Sequence, residues 1–255
     1  MVTTLATTIR DLHRPRGRER RGLCLAEGVR LVEEVVATDL EILGAVVGPS
    51  LDHTARGQAL RVSLAARSEV TQVSDEELTA LAATDHPQGV VVVLRWKGWH
   101  LDDIAVGTDS VMVVLDAIQD PGNVGTIART AWGLGAAGVV ALPGTAELAN
   151  PKTLRASMGA VFRFPTVSVD EATLARWLQD HGIAVVTAAG DGTPLPTARL
   201  SRPLALVLGN EGAGVQSVLG KGAAMKLAVP LATGVESLNV AVAAGILLYG
   251  VLRDR

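Results

Sequence analysis

The 255 residues carry 23 Lys and Arg against 26 Asp and Glu, a formal charge of −3, with 48% hydrophobic and 19% charged residues. That hydrophobic share builds a core and excludes general disorder, while the net charge excludes a uniformly basic nucleic-acid binder. A lone Cys24 forbids an internal disulfide, and the longest apolar run, 238–252, falls short of the roughly 20 residues a membrane span needs. With no apolar leader in sight, the expected setting is cytoplasmic and reducing, with no membrane partner.

The first element is a cluster of charge. Arg10, Arg14, Arg16, Arg18, Arg20 and Arg21 stand against only Asp11 and Glu19, which reads as an exposed tail whose Arg14, Arg16 and Arg18 are available to phosphates. Aromatic residues make up 3% of the chain, so contacts to phosphate and shape are expected over base stacking. LAEGVRLVEEVVAT, with Leu31, Val32, Val35 and Val36 on one side, predicts an amphipathic helix. GAVVG, the acid-capped SDEELTAL and GVVVVLRW follow, an αβαβ alternation that predicts a small α/β domain over 1–98. A Gly, His, Asp and Thr mixture places a linker at 99–109.

From 110 to 255 short apolar strands alternate with helices: VMVVLDAI, GVVAL, IAVVTAA, LALVLG and LAVP. Unalternated strands of this kind predict a parallel sheet covered on both faces. Gly133–Gly138 satisfies G-x-G-x-x-G but ends a helix and precedes a strand, the reverse of a dinucleotide fingerprint. Gly214–Gly222 lacks the spacing and the hydroxyl of a phosphate loop. Ser157 follows no strand and has Arg155 where a nucleophile elbow has glycine. The five histidines are scattered without ligand spacing, so no metal is expected.

Three segments place polar groups after strands, where open α/β sheets bind ligands. They are DPGNVGTIAR, with Asn123 and Arg129; LALVLGNEGAGV, with Glu211; and VPLATGVESLNVAVAAG, with Ser237 and Asn239. Each also has a plain structural reading: Asn123 and Ser237 as helix caps, Gly209 and Gly212 as turn residues.

In order and spacing, N-x-G-x-x-x-R, L-G-N-E-G-x-G and S-L-N-V-x-x-A-A together resemble the SpoU, or TrmH, family of RNA 2′-O-ribose methyltransferases in the SPOUT superfamily. AEGVRLVEE looks like the start of the ribosomal-protein-like RNA-binding domain of many members. NPKTLRASMGAVFRFP is similar to a stretch in members that act on ribosomal RNA. The resemblance implies an α/β SPOUT-type parallel sheet with a C-terminal deep trefoil knot, preceded by the smaller RNA-binding domain, in a homodimer. It implies S-adenosylmethionine as cofactor, held near Leu208, Gly209, Asn210, Gly212, Val229, Pro230, Leu238 and Asn239. Asn123, Arg129, Glu211, Ser237 and Asn239 would form the catalytic site, and Arg155 and Ser157 would face RNA. Ribosomal RNA is the expected substrate, with transfer RNA and a non-catalytic RNA-binding module as alternatives. Family proposals make the motif arginine a base. A guanidinium, however, keeps its proton above about pH 12, so Arg129 is expected to act as a cation.

Overall fold

In the computed structural model, which describes residues 2–253, the chain opens on two helices, α1 (Val2–Leu12) and α2 (Pro15–Arg21). Ile9 and Leu12 of α1 are fully buried. Arg18 is 3% exposed, and its Nη1 donates to the carbonyls of Leu12, at 2.8 Å, and His13, at 3.1 Å. These carbonyls close α1, whose last turn has no helical partner for them. The arginine-rich start is therefore a folded helical pair, and Arg18 is a structural cap withdrawn from any phosphate. Arg14 and Arg16 are exposed, as expected. Arg21 and Arg20 converge on Asp11 and hold its carboxyl below the usual carboxylate range.

Strand β1 (Leu23–Glu27) is buried throughout, where a helix was expected to begin; Gly28, at φ +92°, breaks it from α3 (Val29–Val36). Only glycine takes that φ without strain. Strand β2 (Ile42–Val47), helix α4 (Ala55–Ala65), strand β3 (Val70–Gln72), helix α5 (Asp75–Leu81) and strand β4 (Val90–Arg95) follow. The sheet order is β1-β4-β2-β3, with β4 antiparallel to β1 and β2, and β3 parallel to β2. Within the mostly exposed stretch 99–109, Leu101 and Ile104 enter the core under the next sheet.

That sheet begins with β5 (Val111–Leu115), helix α6 (Pro121–Leu134) and β6 (Val139–Ala141). Helices α7 (Pro151–Ser157) and α8 (Ala160–Arg163) come next, then β7 (Thr166–Ser168), α9 (Glu171–Asp180), β8 (Ala184–Pro194), β9 (Leu204–Leu208), β10 (Met225–Ala228) and α10 (Val240–Arg253). The order is β10-β8-β9-β5-β6-β7, every pair parallel. Every residue of β5 and β9 is buried, as a parallel sheet covered on both faces demands.

The chain forms two compact units, and the first is discontinuous: residues 1–97 with 149–163, against 98–148 with 164–255. Helices α7 and α8 thus leave the stretch in which the sequence placed them. Leu154, Val161 and Phe162 are buried. Arg155 Nη1 lies 3.6 Å from Glu27 Oε2, Arg163 Nη2 lies 3.1 Å from Glu34 Oε2, and the Phe162 ring meets Trp96 edge-on. Ser157 is fully buried and donates to the carbonyl of Leu154 at 2.8 Å. The expectation that Ser157 faces RNA is corrected by that burial. Arg155 spends its charge on buried Glu27.

Candidate active site

Because the second sheet is parallel, the carboxyl ends of β5, β8, β9 and β10 share one edge. Asp120 caps α6 there, its Oδ1 accepting from the Asn123 N–H at 3.0 Å. Asn123 Nδ2 donates to Glu211 Oε1 at 2.8 Å, and its Oδ1 accepts from Asn239 Nδ2 at 3.1 Å. Asn239 in turn caps α10, accepting from the N–H groups of Ala241 and Val242. One amide therefore ties together residues from all three motifs.

Beside this network lies a cavity of about 210 Å³. Its floor and walls are apolar: Leu208, Leu227, Val229, Leu231, Leu238, Val240 and Leu247. Ala188, Ala189 and Gly190 close one side. They project because the pairing of β8 with β10 jumps from Thr187–Lys226 to Thr193–Leu227, so the intervening residues loop out. Gly209, Asn210, Glu211, Gly214, Glu236 and Ser237 supply the polar rim. A Cβ on Gly209 would stand 2.1 Å from the Gly214 carbonyl carbon, so glycine is obligatory there.

The loop after β9 is held from below. Asn210 bridges backbone N–H to carbonyl with Gly214 in both directions, while its side chain accepts from Gly212 and Ala213 and donates to the Ala117 carbonyl. The Asp116 carboxylate accepts from Gln216 and Ser217, each at 2.7 Å, and Glu171 accepts from Val218 and Leu219.

Of the expected cofactor positions, Leu208, Gly209, Asn210, Val229 and Leu238 line the cavity; Gly212, Pro230 and Asn239 do not. Glu211 and Ser237 also reach it. Arg129 is exposed on α6, and its side chain forms no hydrogen bond or ion pair with any described residue. A separation of six helical residues sets it roughly 120° around and 9 Å along the axis from Asn123. Ala188–Gly190, Leu231 and Glu236 were missed by sequence reading. The small residues of 188–190 close an apolar run just before Asp191 and Gly192, and read as the end of a strand rather than as the wall of a cavity.

A parallel sheet with glycine-rich and polar loops gathered around an apolar cavity at its carboxyl edge defines an α/β ligand-binding enzyme domain. The chain belongs to the SpoU rRNA methylase family, whose sequence pattern matches residues 110–249, and residues 7–92 match the MRM3-like substrate binding domain. It is 34% identical over 241 residues, 94% of this chain and 92% of the relative, to the 23S rRNA (guanosine(2553)-2′-O)-methyltransferase RlmP of Bacillus subtilis. It is also similar to the crystal structure of the SpoU methyltransferase AviRb from Streptomyces viridochromogenes in complex with AdoMet. That match has a TM-score of 0.87, 27% identity, and covers 97% of this chain and 96% of the other. The AdoMet-bound rRNA methyltransferase from Sinorhizobium meliloti gives a TM-score of 0.86 at 30% identity, covering 100% and 96%. The SPOUT-type α/β fold and the two-part architecture follow.

Proposed function

We propose that the chain transfers a methyl group from S-adenosylmethionine to a ribose 2′-hydroxyl of ribosomal RNA, working as a homodimer in the cytoplasm. The observation that carries this is the Asn239–Asn123–Glu211 chain of hydrogen bonds at the mouth of the apolar cavity. It joins three segments distant in sequence into one polar surface beside a slot suited to adenosine. The lining suits the cofactor's charge as well: Glu211 and Glu236 are its ionisable members, with no Lys, Arg or His, so a cationic sulfonium is favoured there.

When bound, S-adenosylmethionine supplies a methyl already activated by its sulfonium. The protein's task is to align the ribose oxygen and manage its charge. Asn123 orients Glu211, and Asn239 orients Asn123. Ser237, on the rim, offers a hydroxyl to cofactor or ribose. Exposed Arg129 binds a phosphate and stabilises the negative charge that develops on the 2′-oxygen as its methyl bond forms, the sulfonium becomes a neutral thioether and the hydroxyl proton passes to bulk water. Arg14 and Arg16 of the first unit contact phosphates of the RNA, and Leu208, Gly209, Asn210, Val229 and Leu238 hold the adenosine.

For the dimer, Val242, Ile246 and Tyr249 present an exposed apolar stripe at helical spacing on α10, with Trp132 exposed on α6. Such a stripe suits burial against a second copy. Among the described residues no helix is long and apolar enough to cross a membrane.

The test is methyl incorporation from labelled S-adenosylmethionine into ribosomal and transfer RNA, with the modified nucleotides mapped as alkali-resistant 2′-O-methyl positions. Labelling of ribosomal RNA is expected. Labelling of transfer RNA alone overturns the substrate assignment, and labelling of neither overturns the activity.

A further inference from the structure

Asp116 has no role in the chemistry above, yet it is 4% exposed directly past the end of β5. Its Oδ2 alone accepts both the Gln216 and Ser217 N–H groups. The next residue, Ala117, stands at φ +56°, a left-handed conformation that a side chain rarely adopts and that here turns its carbonyl to the Asn210 amide at 3.1 Å. Two adjacent residues therefore anchor both ends of the loop 209–217. Glu211 and Gly214 lie between the anchors and line the cavity, as do Gly209 and the anchored Asn210, whereas Asp116, Gln216 and Ser217 do not.

A nine-residue segment with three glycines has many conformations to lose, and a ligand that had to order it would bind correspondingly weakly. A buried carboxylate taking two backbone N–H groups is a strong restraint against that freedom. We propose that Asp116 is a positioning residue that sets the 209–217 loop in its ligand-ready shape before the cofactor arrives, so that the two hydrogen bonds it accepts govern cofactor affinity without touching the cofactor. This rests on reading the apolar cavity as the S-adenosylmethionine site.

The test uses the full-length protein, with S-adenosylhomocysteine as the calorimetric probe and steady-state kinetics for S-adenosylmethionine and RNA. Asp116→Ala is expected to weaken S-adenosylhomocysteine binding and raise the KM for S-adenosylmethionine by about ten-fold or more. The KM for RNA should stay within about two-fold. Asp116→Asn should recover most of the loss, because an amide oxygen in the Oδ2 position still accepts both N–H groups. Hydrogen exchange on the unaltered protein gives a readout independent of whether any variant folds: the Gln216 and Ser217 amides should be protected without ligand. Free exchange of those two amides until S-adenosylhomocysteine is added overturns pre-setting. So does wild-type affinity in a folded but less stable Asp116→Ala, the signature of a merely structural carboxylate. Ala189→Phe, which fills the cavity, separates the two ideas. If it binds normally, the cavity reading fails. If it loses binding while Asp116→Ala keeps it, only the positioning role fails.

Discussion

Asn123 uses both ends of its amide, donating to Glu211 and accepting from Asn239, so its substitutions are not equivalent. Asn123→Asp sets a second carboxylate against Glu211 Oε1 at hydrogen-bond distance, where like charges repel. It should lower kcat by about a hundred-fold while leaving the melting temperature within a few degrees; single-turnover kinetics would show it, and near-wild-type turnover would remove the network from the mechanism. Arg129→Ala should abolish transfer and leave S-adenosylhomocysteine binding intact, since Arg129 does not line the cavity. Arg129→Lys discriminates the role, for lysine keeps charge but loses the planar fork and has a lower pKa. Uniformly low activity across pH supports the cationic clamp, and activity rising steeply with pH supports a base. The types and spacing of these residues were legible in the sequence. What was not legible is that a single amide joins three motifs, because side-chain orientation at a helix entrance is set only when distant segments meet.

Helix α2 shows what charge pattern cannot reveal. Six arginines in twelve positions look alike on the page, but Gly17 and Arg18 turn inward while Arg14 and Arg16 face water. Arg18→Gln removes donors from two carbonyls at the end of α1 and should cost about 1–3 kcal/mol of stability, read by chemical denaturation. Arg14→Gln with Arg16→Gln should leave stability unchanged and reduce the salt slope of RNA binding by about 1 to 2, one counterion per lost phosphate contact. An unchanged slope would make both arginines bystanders. Strand β1 was illegible for a related reason: LCLAE runs into an amphipathic pattern without a polar break, and only the φ of Gly28 separates strand from helix. Five of the six strands of the second sheet were legible because burial leaves short continuous apolar runs, whereas the edge strand β7, only Thr166–Ser168, offers no such run.

The largest departure from the sequence concerns α7 and α8, whose apolar residues serve the first unit. Composition carries no sign of it, because the partner of Arg155 is Glu27, far upstream. A fragment 105–255 carries Leu154, Val161 and Phe162 without their covering strand, so it should bind a hydrophobic dye and aggregate. Co-expressed fragments 1–104 and 105–255 should instead copurify as a soluble pair, and their failure to associate would contradict the division. The apolar stripe on α10 makes a separate prediction: Val242→Glu with Tyr249→Glu should convert a dimer to a monomer in sedimentation without lowering the melting temperature of the protomer. Discontinuity also has a consequence in time. A nascent chain emerging at about 5–20 residues per second delivers residue 163 roughly 3–13 s after residue 97. Throughout that interval β1 has its sheet neighbours and the helices α1 and α3 but lacks α7, while the strands of the second unit emerge. The amino-terminal unit therefore cannot close when its own first 97 residues have emerged and must wait for α7 and α8. Ribosome-bound chains stalled near residue 140 should stay protease-sensitive in the first unit, and chains stalled well past residue 200 should not.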